Sequence, residues 1–189
     1  MNNIVLLASG SGSNVENIVK FFNDDQDTQI SMILTNNPKA YVIQRAEKLG
    51  IPIRIFNRDD FYNNGAIIDL LKKINPDLIV LAGFLWLIPE DMIKTFPNKI
   101  INIHPALLPK YGGKGMYGSR VHEAVVANKE KESGITIHYV NERYDEGNII
   151  FQAKCEVLPS DTPDDVANKV HKLEYEHFPK VIDGLLKKG

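Results

Sequence analysis

Two polar residues stand two positions apart in the segment Asn102-Ile103-His104-Pro105. Because side chains alternate along a β-strand, Asn102 and His104 would project from the same face of a strand. Pro105 favours an extended backbone at His104, which predicts that the pair lies where the strand ends. An amide can stabilise an oxyanion and an imidazole can move a proton, so the pair could serve acyl transfer. The alternative is that His104 is an ordinary hydrogen-bonded structural residue.

A carboxylate that could act on this histidine is Asp145, in the turn Tyr144-Asp145-Glu146-Gly147. Turn aspartates commonly hydrogen-bond their own backbone, and that is the structural alternative. If the edge of the sheet returns beside the strand that carries His104, the carboxylate would orient the imidazole and favour its protonated form. The spacing along the sequence leaves the distance between the two groups open.

A second candidate site is the small-residue segment Ala8-Ser9-Gly10-Ser11-Gly12-Ser13-Asn14, which joins an apolar run to a helical pattern. Small residues let the backbone approach a ligand closely, and the N-terminus of a helix attracts a phosphate. The dinucleotide fingerprint needs a further glycine where Val15 stands and an acidic residue at positions 35–37. The segment therefore favours a phosphate monoester over NAD or FAD. A tight turn with Ser13 or Asn14 as N-cap is the alternative.

The elements that would position these residues alternate between strand and helix. Strands are predicted over 4–8, 30–34, 51–56, 78–82 and 100–103, of which 4–8 and 78–82 should be buried, and helices over 13–22, 41–49, 59–74 and directly after Pro89. This repetition requires a parallel sheet with helices on both faces. Strands over 135–139 and 149–157 should extend one edge, and a last helix begins at Thr162-Pro163. For residues 1–189 we expect a single α/β domain with a doubly wound, Rossmann-like, mostly parallel sheet, helices on both faces and an antiparallel edge near the C-terminal third.

The composition limits the class of protein. The chain has 189 residues with 22 basic and 24 acidic side chains, so no long-range positive field would attract nucleic acid. The one cysteine, Cys155, excludes a disulfide framework and favours a reducing compartment. The longest apolar stretch, 78–88, is interrupted by Gly83 and is too short to span a membrane. We expect a cytoplasmic protein with no metal, nucleic-acid or membrane partner.

Several segments together resemble a known family. They are Gly10-Ser11-Gly12-Ser13-Asn14, Leu81-Ala82-Gly83-Phe84, Asn102-Ile103-His104-Pro105-Ala106-Leu107-Leu108-Pro109 and Asp145-Glu146-Gly147. Their order and spacing resemble those of the phosphoribosylglycinamide formyltransferases, and the resemblance runs essentially end to end. The third segment is characteristic of folate-dependent formyltransferases as a group. The first separates the glycinamide-ribonucleotide branch from the others.

The resemblance implies transfer of a formyl group from the cosubstrate 10-formyltetrahydrofolate to the amine of 5-phosphoribosylglycinamide (glycinamide ribonucleotide) in purine biosynthesis. It implies direct acyl transfer through a tetrahedral intermediate, without metal, and the catalytic residues would be Asn102, His104 and Asp145. The ribonucleotide would be held by Gly12, Ser13, Asn14 and Glu174, with His171 one helical turn earlier as a further candidate. The folate would contact Leu85, Trp86, Leu87, Ile88, Asn102, Val140 and Asn141.

Two features depart from the family pattern. Trp86 stands where relatives often have arginine, and Arg58 is a nearby substitute as a folate contact. The glycine-rich loop over 112–118 is either a mobile lid or an ordinary surface loop. We expect His122 at the rim of the site and interpret His138 and His177 as structural.

Other formyltransferases share the Asn-x-His and Asp elements. The transfer-RNA and sugar-nucleotide enzymes need an additional C-terminal domain, and formyltetrahydrofolate hydrolase needs an additional N-terminal one. The length therefore favours the one-domain branch, as a monomer or homodimer. From other classes, the alternatives are a phosphate-binding α/β module without catalysis and a small nucleotide-binding oxidoreductase. Either would make the combination of Asn102, His104 and Asp145 coincidental.

Overall fold

The computed structural model describes residues 1–188, which form one sheet with helices packed on it. The strands are β1 (Asn2–Leu7), β2 (Thr28–Thr35), β3 (Ile53–Ile55), β4 (Leu78–Leu81), β5 (Ile100–His104), β6 (Glu132–Tyr139) and β7 (Ile149–Glu156). The helices are α1 (Ser13–Phe21), α2 (Val42–Leu49), α3 (Arg58–Tyr62), α4 (Ala66–Ile74), α5 (Glu90–Thr95), α6 (Ser119–Ala127) and α7 (Pro163–Leu186).

The strand order is β3-β2-β1-β4-β5-β6-β7. Strands β1 to β5 pair in parallel, whereas β6 pairs antiparallel with both β5 and β7. The chain builds outward from β1 to β3 and then returns to place β4 on the other side of β1. The carboxyl ends of β1 and β4 are therefore the switch point at which open α/β sheets bind ligands. The predicted mostly parallel sheet with an antiparallel edge is confirmed.

Helices cover both faces because the central strands are apolar on both sides. On one face, Leu6 belongs to a core cluster that includes Val15 of α1 and Val170 of α7. On the other face, Leu7 belongs to a cluster that includes Leu71 of α4. Each such buried side chain contributes about 1.5–3 kcal/mol, so both helical layers stabilise the sheet that carries the site. Within residues 1–188, no helix is long and apolar enough to cross a membrane.

The helix predicted over 59–74 is two helices, and that prediction was wrong. Helix α3 ends at Tyr62, and Gly65 precedes α4 with a φ of 72°. A residue in the left-handed region does not continue a right-handed helix, so the segment Asn63-Asn64-Gly65 forms a break. The apolar spacing continues across the break, which is why periodicity alone predicted one helix.

Helix α7 crosses the sheet and brings its middle turn toward the loop after β1. Thr162 caps it as predicted, since its hydroxyl accepts from the Asp165 N–H and the Asp165 carboxylate accepts from the Thr162 N–H. The helix packs against α1, α6, β6 and β7. Its buried positions include Val170, Glu174 and Phe178. A carboxylic acid thus occupies the face that the helix presents to the core.

Candidate active site

A cavity of about 650 Å³ opens at the switch point of the sheet. Its wall combines the loop after β1, the loop after β4, the end of β5, the glycine-rich loop before α6, the turn between β6 and β7 and the middle of α7. This volume is typical of a site for small molecules. The cavity therefore brings together segments that are far apart in the sequence.

The loop after β1 forms one end of this cavity. Gly12 is the N-cap of α1 with a φ of 72°, and a Cβ there would lie 2.4 Å from Val42 Cγ2. Both the backbone conformation and the space require glycine. No side chain caps α1, so the first-turn N–H groups are left for a ligand. The Ser9 N–H donates to the Gly83 carbonyl at 3.0 Å, and the Ser9 hydroxyl accepts from the Leu85 N–H at 3.0 Å, which ties this loop to the one after β4.

Glu174 lies beside the loop after β1. Its Oε2 accepts a hydrogen bond of 2.9 Å from Asn14 Nδ2, and the residue is only 6% exposed. Burial raises the pKa of the Glu174 carboxyl, although the hydrogen bond from Asn14 and the nearby His171 act in the opposite direction. The other polar atom of the amide, Asn14 Oδ1, is buried without a hydrogen-bond partner in the described part of the chain. A buried carboxyl with a raised pKa in a cavity is typical of a binding or catalytic site.

The β5–β6 pair and the turn after β6 bring Asn102, His104 and Asp145 together in the same cavity. His104 Nδ1 lies 3.5 Å from Asp145 Oδ2. His104 Nε2 donates to the Tyr111 carbonyl at 2.7 Å, because a carbonyl oxygen can only accept. Nδ1 is thus the nitrogen of the neutral ring that can take up a proton, and it faces the carboxylate. The Gly113 N–H donates to Asp145 Oδ2 at 3.0 Å and holds the carboxylate in place.

The ionisation of this cluster differs from the expectation. Burial lowers the pKa of His104 below its ordinary 6.5, although Asp145 and the Tyr111 carbonyl raise it. Burial also raises the pKa of Asp145, but contact with His138, the charge of His104 and the Gly113 N–H together leave it below 3.8. Asp145 does favour the imidazolium, as predicted, but burial outweighs it. Without substrate, the site therefore holds a neutral imidazole beside a carboxylate at pH 7.

His138 is a site residue that the sequence analysis missed. We interpreted it as structural, but it lines the cavity, directly opposite Asn102 in the β5–β6 pairing. Its Nε2 lies 3.1 Å from Asn102 Nδ2 and 3.6 Å from Asp145 Oδ1. The register of two antiparallel strands decides which side chains face each other, and the alternation along one strand does not report that register.

The remaining histidines separate into two groups. His122 lines the cavity and is 3% exposed; burial, together with His171 and His104, lowers its pKa to about 4. His171 also lines the cavity, with its ring centroid 6.4 Å from that of His122. His177 packs on Phe151 at 5.0 Å between ring centroids and is not part of the cavity wall, which agrees with a structural role.

The apolar side of the cavity is formed by the loop after β4. Its wall includes Leu85, Trp86, Leu87, Ile88 and Val140. Trp86 belongs to an aromatic cluster with Phe56, Phe61, Tyr62 and Phe84. Two predicted folate contacts, Asn141 and Arg58, are not in the wall.

Arg58 instead lies behind the apolar side of the cavity. Its guanidinium carbon is 4.9 Å from the centroid of the Trp86 ring, so the cation stacks on a residue that does line the cavity. The glycine-rich loop also contributes to the wall, through residues 113–118. Within residues 1–188, no group of three or more His, Cys, Asp or Glu side chains is placed to hold a metal ion.

A Rossmann-like sheet with an anion-binding loop and an amide, imidazole and carboxylate in one switch-point cavity defines a class of protein: an α/β enzyme for group transfer between small molecules. Comparison with known proteins agrees, since the model of the family described as formyl transferase matches residues 2–182. The chain belongs to the formyl transferase family.

Individual relatives carry a more specific name. The chain is 37% identical over 191 residues to the phosphoribosylglycinamide formyltransferase of Bacillus subtilis, and the match covers 98% of this chain and 95% of that protein. It is 36% identical to the chloroplastic phosphoribosylglycinamide formyltransferase of Arabidopsis thaliana over 96% of this chain, but spans only 64% of that protein's length. The crystal structure of phosphoribosylglycinamide formyltransferase from Anaplasma phagocytophilum superposes with a TM-score of 0.86 at 34% identity, covering 96% of this chain and 85% of that one.

Proposed function

We propose that this chain transfers a formyl group from 10-formyltetrahydrofolate to the amine of 5-phosphoribosylglycinamide, a step of de novo purine biosynthesis. The observation that carries the proposal is the placement of Asn102, His104 and Asp145 in the same cavity as an anion-binding loop. Membership of the formyl transferase family supports the reaction, and the printed names of the relatives support the acceptor. A single domain is part of the same proposal, supported by one family match over residues 2–182. Action in the cytoplasm is part of it as well, supported by the single cysteine of the sequence, which favours a reducing compartment.

The ribonucleotide would occupy the end of the cavity at the loop after β1. Its phosphate would accept from the N–H groups of Gly12, Ser13 and Asn14, where the helix dipole of α1 favours an anion. Glu174, buried and linked to Asn14, would accept from a hydroxyl or amine of the ribosyl-glycinamide part. His171 stands next to this position on the exposed side of α7.

The folate would lie against the apolar side of the cavity. A flat pterin ring fits a wall built from Leu85, Trp86, Leu87 and Ile88 on one side and Val140 on the other. Arg58 would act through Trp86, since it stacks on the indole ring rather than facing the cavity.

The chemistry follows from the position of the polar groups. As the amine forms its bond to the formyl carbon, negative charge develops on the formyl oxygen, and the Asn102 amide would donate to that oxygen. His104 Nδ1 would take up the proton lost by the amine through a water ordered at Asp145, and the carboxylate would stabilise the imidazolium that results. The carbon–nitrogen bond to the folate then breaks, and the proton passes to the leaving nitrogen.

The test is an assay of the purified full chain with 10-formyltetrahydrofolate and either 5-phosphoribosylglycinamide or water as acceptor. We expect tetrahydrofolate to form only with the ribonucleotide, in equal amount to the formylated product. Release of formate without ribonucleotide would identify a hydrolase, and no release of tetrahydrofolate with either acceptor would identify a binding module. The variant Asn14→Ala, which removes the side-chain amide that donates to Glu174, should raise the KM for the ribonucleotide and leave the KM for the folate near the wild-type value.

A further inference from the structure

His138 makes two hydrogen bonds that together determine the state of its ring. On one side, Nδ1 lies 2.9 Å from the carbonyl oxygen of Tyr139. On the other side, Nε2 lies 3.1 Å from Asn102 Nδ2. The residue is 2% exposed, so water does not compete for either nitrogen. Through these two contacts, His138 connects the backbone of β6 to the side-chain amide of Asn102, which is the proposed donor to the oxyanion.

We propose that His138 is a positioning residue that fixes the orientation of the Asn102 amide, acting through the tautomer with its proton on Nδ1. The inference rests on the proposed function, because Asn102 is the group that would donate to the developing oxyanion. It concerns a residue that touches no reacting atom and contributes only through its neighbour.

The tautomer follows from the partners. A carbonyl oxygen can only accept, so the nitrogen facing Tyr139 must carry a proton. A neutral imidazole has one N–H, which leaves Nε2 as an acceptor. Only the NH₂ group of Asn102 can donate to that acceptor, so the amide cannot turn its oxygen toward β6.

The orientation matters for catalysis because the two ends of an amide have opposite roles. With Nδ2 held by His138, one N–H of Asn102 is engaged and the second remains available to donate into the cavity. If the amide rotated by half a turn, its oxygen would replace those N–H groups and would repel a developing oxyanion. An uncharged acceptor at position 138 thus keeps a donor available in the site.

The titratable groups that face His138 are Asp145 and His104. Asp145 Oδ1 lies 3.6 Å from Nε2, beyond hydrogen-bond distance. A second proton on the His138 ring would be drawn toward this carboxylate, and Asn102 would lose its acceptor. The side chain within hydrogen-bond distance of Nε2 is therefore Asn102, at 3.1 Å, and not Asp145.

Gly147 packs closely against the Nδ1 side of the His138 ring. A Cβ at Gly147 would lie 1.6 Å from the Tyr139 carbonyl oxygen and 3.5 Å from His138 Nδ1. The backbone at Gly147 therefore passes directly over the carbonyl that accepts from His138. This contact limits movement of the Tyr139 carbonyl away from the ring.

The experiment compares His138→Leu, which removes the acceptor, with His138→Gln, which can restore one through its side-chain oxygen. With both substrates present, we expect kcat of the single variant His138→Leu to be about 10- to 100-fold below that of wild type, with each KM within about threefold of the wild-type value. His138→Gln should recover kcat to within about fivefold of wild type. His177→Leu is the matched control and should leave kcat unchanged.

Double-mutant cycles separate positioning from a merely structural effect. In the background of Asn102→Ala, His138→Leu should lower kcat by less than about threefold. In the background of Asp145→Asn, His138→Leu should lower kcat by the same factor, about 10- to 100-fold, as it does in the otherwise wild-type chain. Additivity with Asn102→Ala would overturn the inference, as would a wild-type kcat in His138→Leu. If the wild-type chain itself transferred no formyl group, the proposed function would fail instead.

Nitrogen-15 NMR of the wild-type histidines tests the tautomer without any substitution. For His138 we expect a protonated Nδ1 and an unprotonated Nε2 at pH 7. A ring with its proton on Nε2, or on both nitrogens, would overturn the inference even if His138→Leu failed to fold.

Discussion

Tyr111 and Asp145 each direct a polar group at His104, and each has a φ of 56°. Non-glycine residues rarely adopt this conformation, which costs about 1–3 kcal/mol and persists where surrounding contacts enforce it. The Tyr111 hydroxyl donates to Glu130 at 2.9 Å, and the Asp145 carboxylate accepts from the Gly113 N–H. These contacts explain how a carbonyl and a carboxylate are both held against the same imidazole ring.

Glu174 offers a prediction that separates charge from hydrogen bonding. Since burial raises the pKa of its carboxyl, the site tolerates a neutral group at this position. We expect Glu174→Gln, which can still accept from Asn14, to raise the Kd for 5-phosphoribosylglycinamide less than about fivefold. Glu174→Ala leaves the Asn14 amide without its partner and should raise the Kd by about 10- to 100-fold. Calorimetric titration measures both, and equal losses in the two variants would contradict this explanation.

The helix break and the register of β6 show what local patterns can and cannot predict. Buried strands, the glycine-rich loop and the Thr162 cap follow from residue types in short segments, and all lie where they were predicted. The break at Gly65 depends on a single left-handed residue within continuing apolar spacing. The role of His138 depends on pairing between β5 and β6, whose register is set by contacts distant in sequence.

The loop between β1 and α1 gives a prediction at Gly12. Gly12→Ala would both occupy a left-handed conformation and collide with Val42. We expect it to lower the free energy of unfolding by about 1–3 kcal/mol and to weaken binding of the ribonucleotide. The double variant Gly12→Ala/Val42→Ala removes the collision with Val42 Cγ2 but keeps the one with the Cβ of residue 42, at 2.7 Å, so it should recover only part of the ribonucleotide affinity relative to Gly12→Ala.

Val42→Ala alone is the control for this pair, and denaturant unfolding together with calorimetric titration provides the measurements. A Gly12→Ala protein with wild-type affinity would show that the loop does not need its present conformation to bind the ligand.

The molecule as a whole carries a formal net charge of -2, yet the proposed substrates are anionic. The cavity resolves this contrast, because it offers backbone N–H groups at α1 and an apolar wall instead of a basic surface. The proposed anion binding is therefore local to one end of the sheet. A sequence without a basic patch is consistent with such a site.

Buried histidines make the stability of the whole fold depend on pH. The folded-state pKa of His122 is lowered to about 4, whereas in the unfolded chain it would be near 6.5. Above pH 6.5 the ring is neutral in both states; as the pH falls toward 4, only the unfolded chain takes up the proton, and stability is lost. We expect the Tm of wild type to fall more between pH 7 and pH 4.5 than that of His122→Gln. Burial also lowers the pKa of His104, which therefore lowers the stability of wild type and of His122→Gln alike as the pH falls. The difference between the two losses of Tm is thus due to His122. Equal losses of Tm would contradict the burial of a neutral His122.

Formyl transfer by the Asn102, His104 and Asp145 cluster is tested most directly by the single-turnover rate with both substrates bound. We expect His104→Ala and Asp145→Asn each to slow formyl transfer by at least about 100-fold, because the first removes the group that takes up the proton and the second removes the charge that stabilises the imidazolium. The Kd for the ribonucleotide should stay within about threefold of wild type, since neither side chain is among the proposed ribonucleotide-binding groups. His177→Ala, outside the cavity wall, should keep the wild-type rate. A single-turnover rate in His104→Ala within about threefold of wild type would contradict a catalytic role for this cluster.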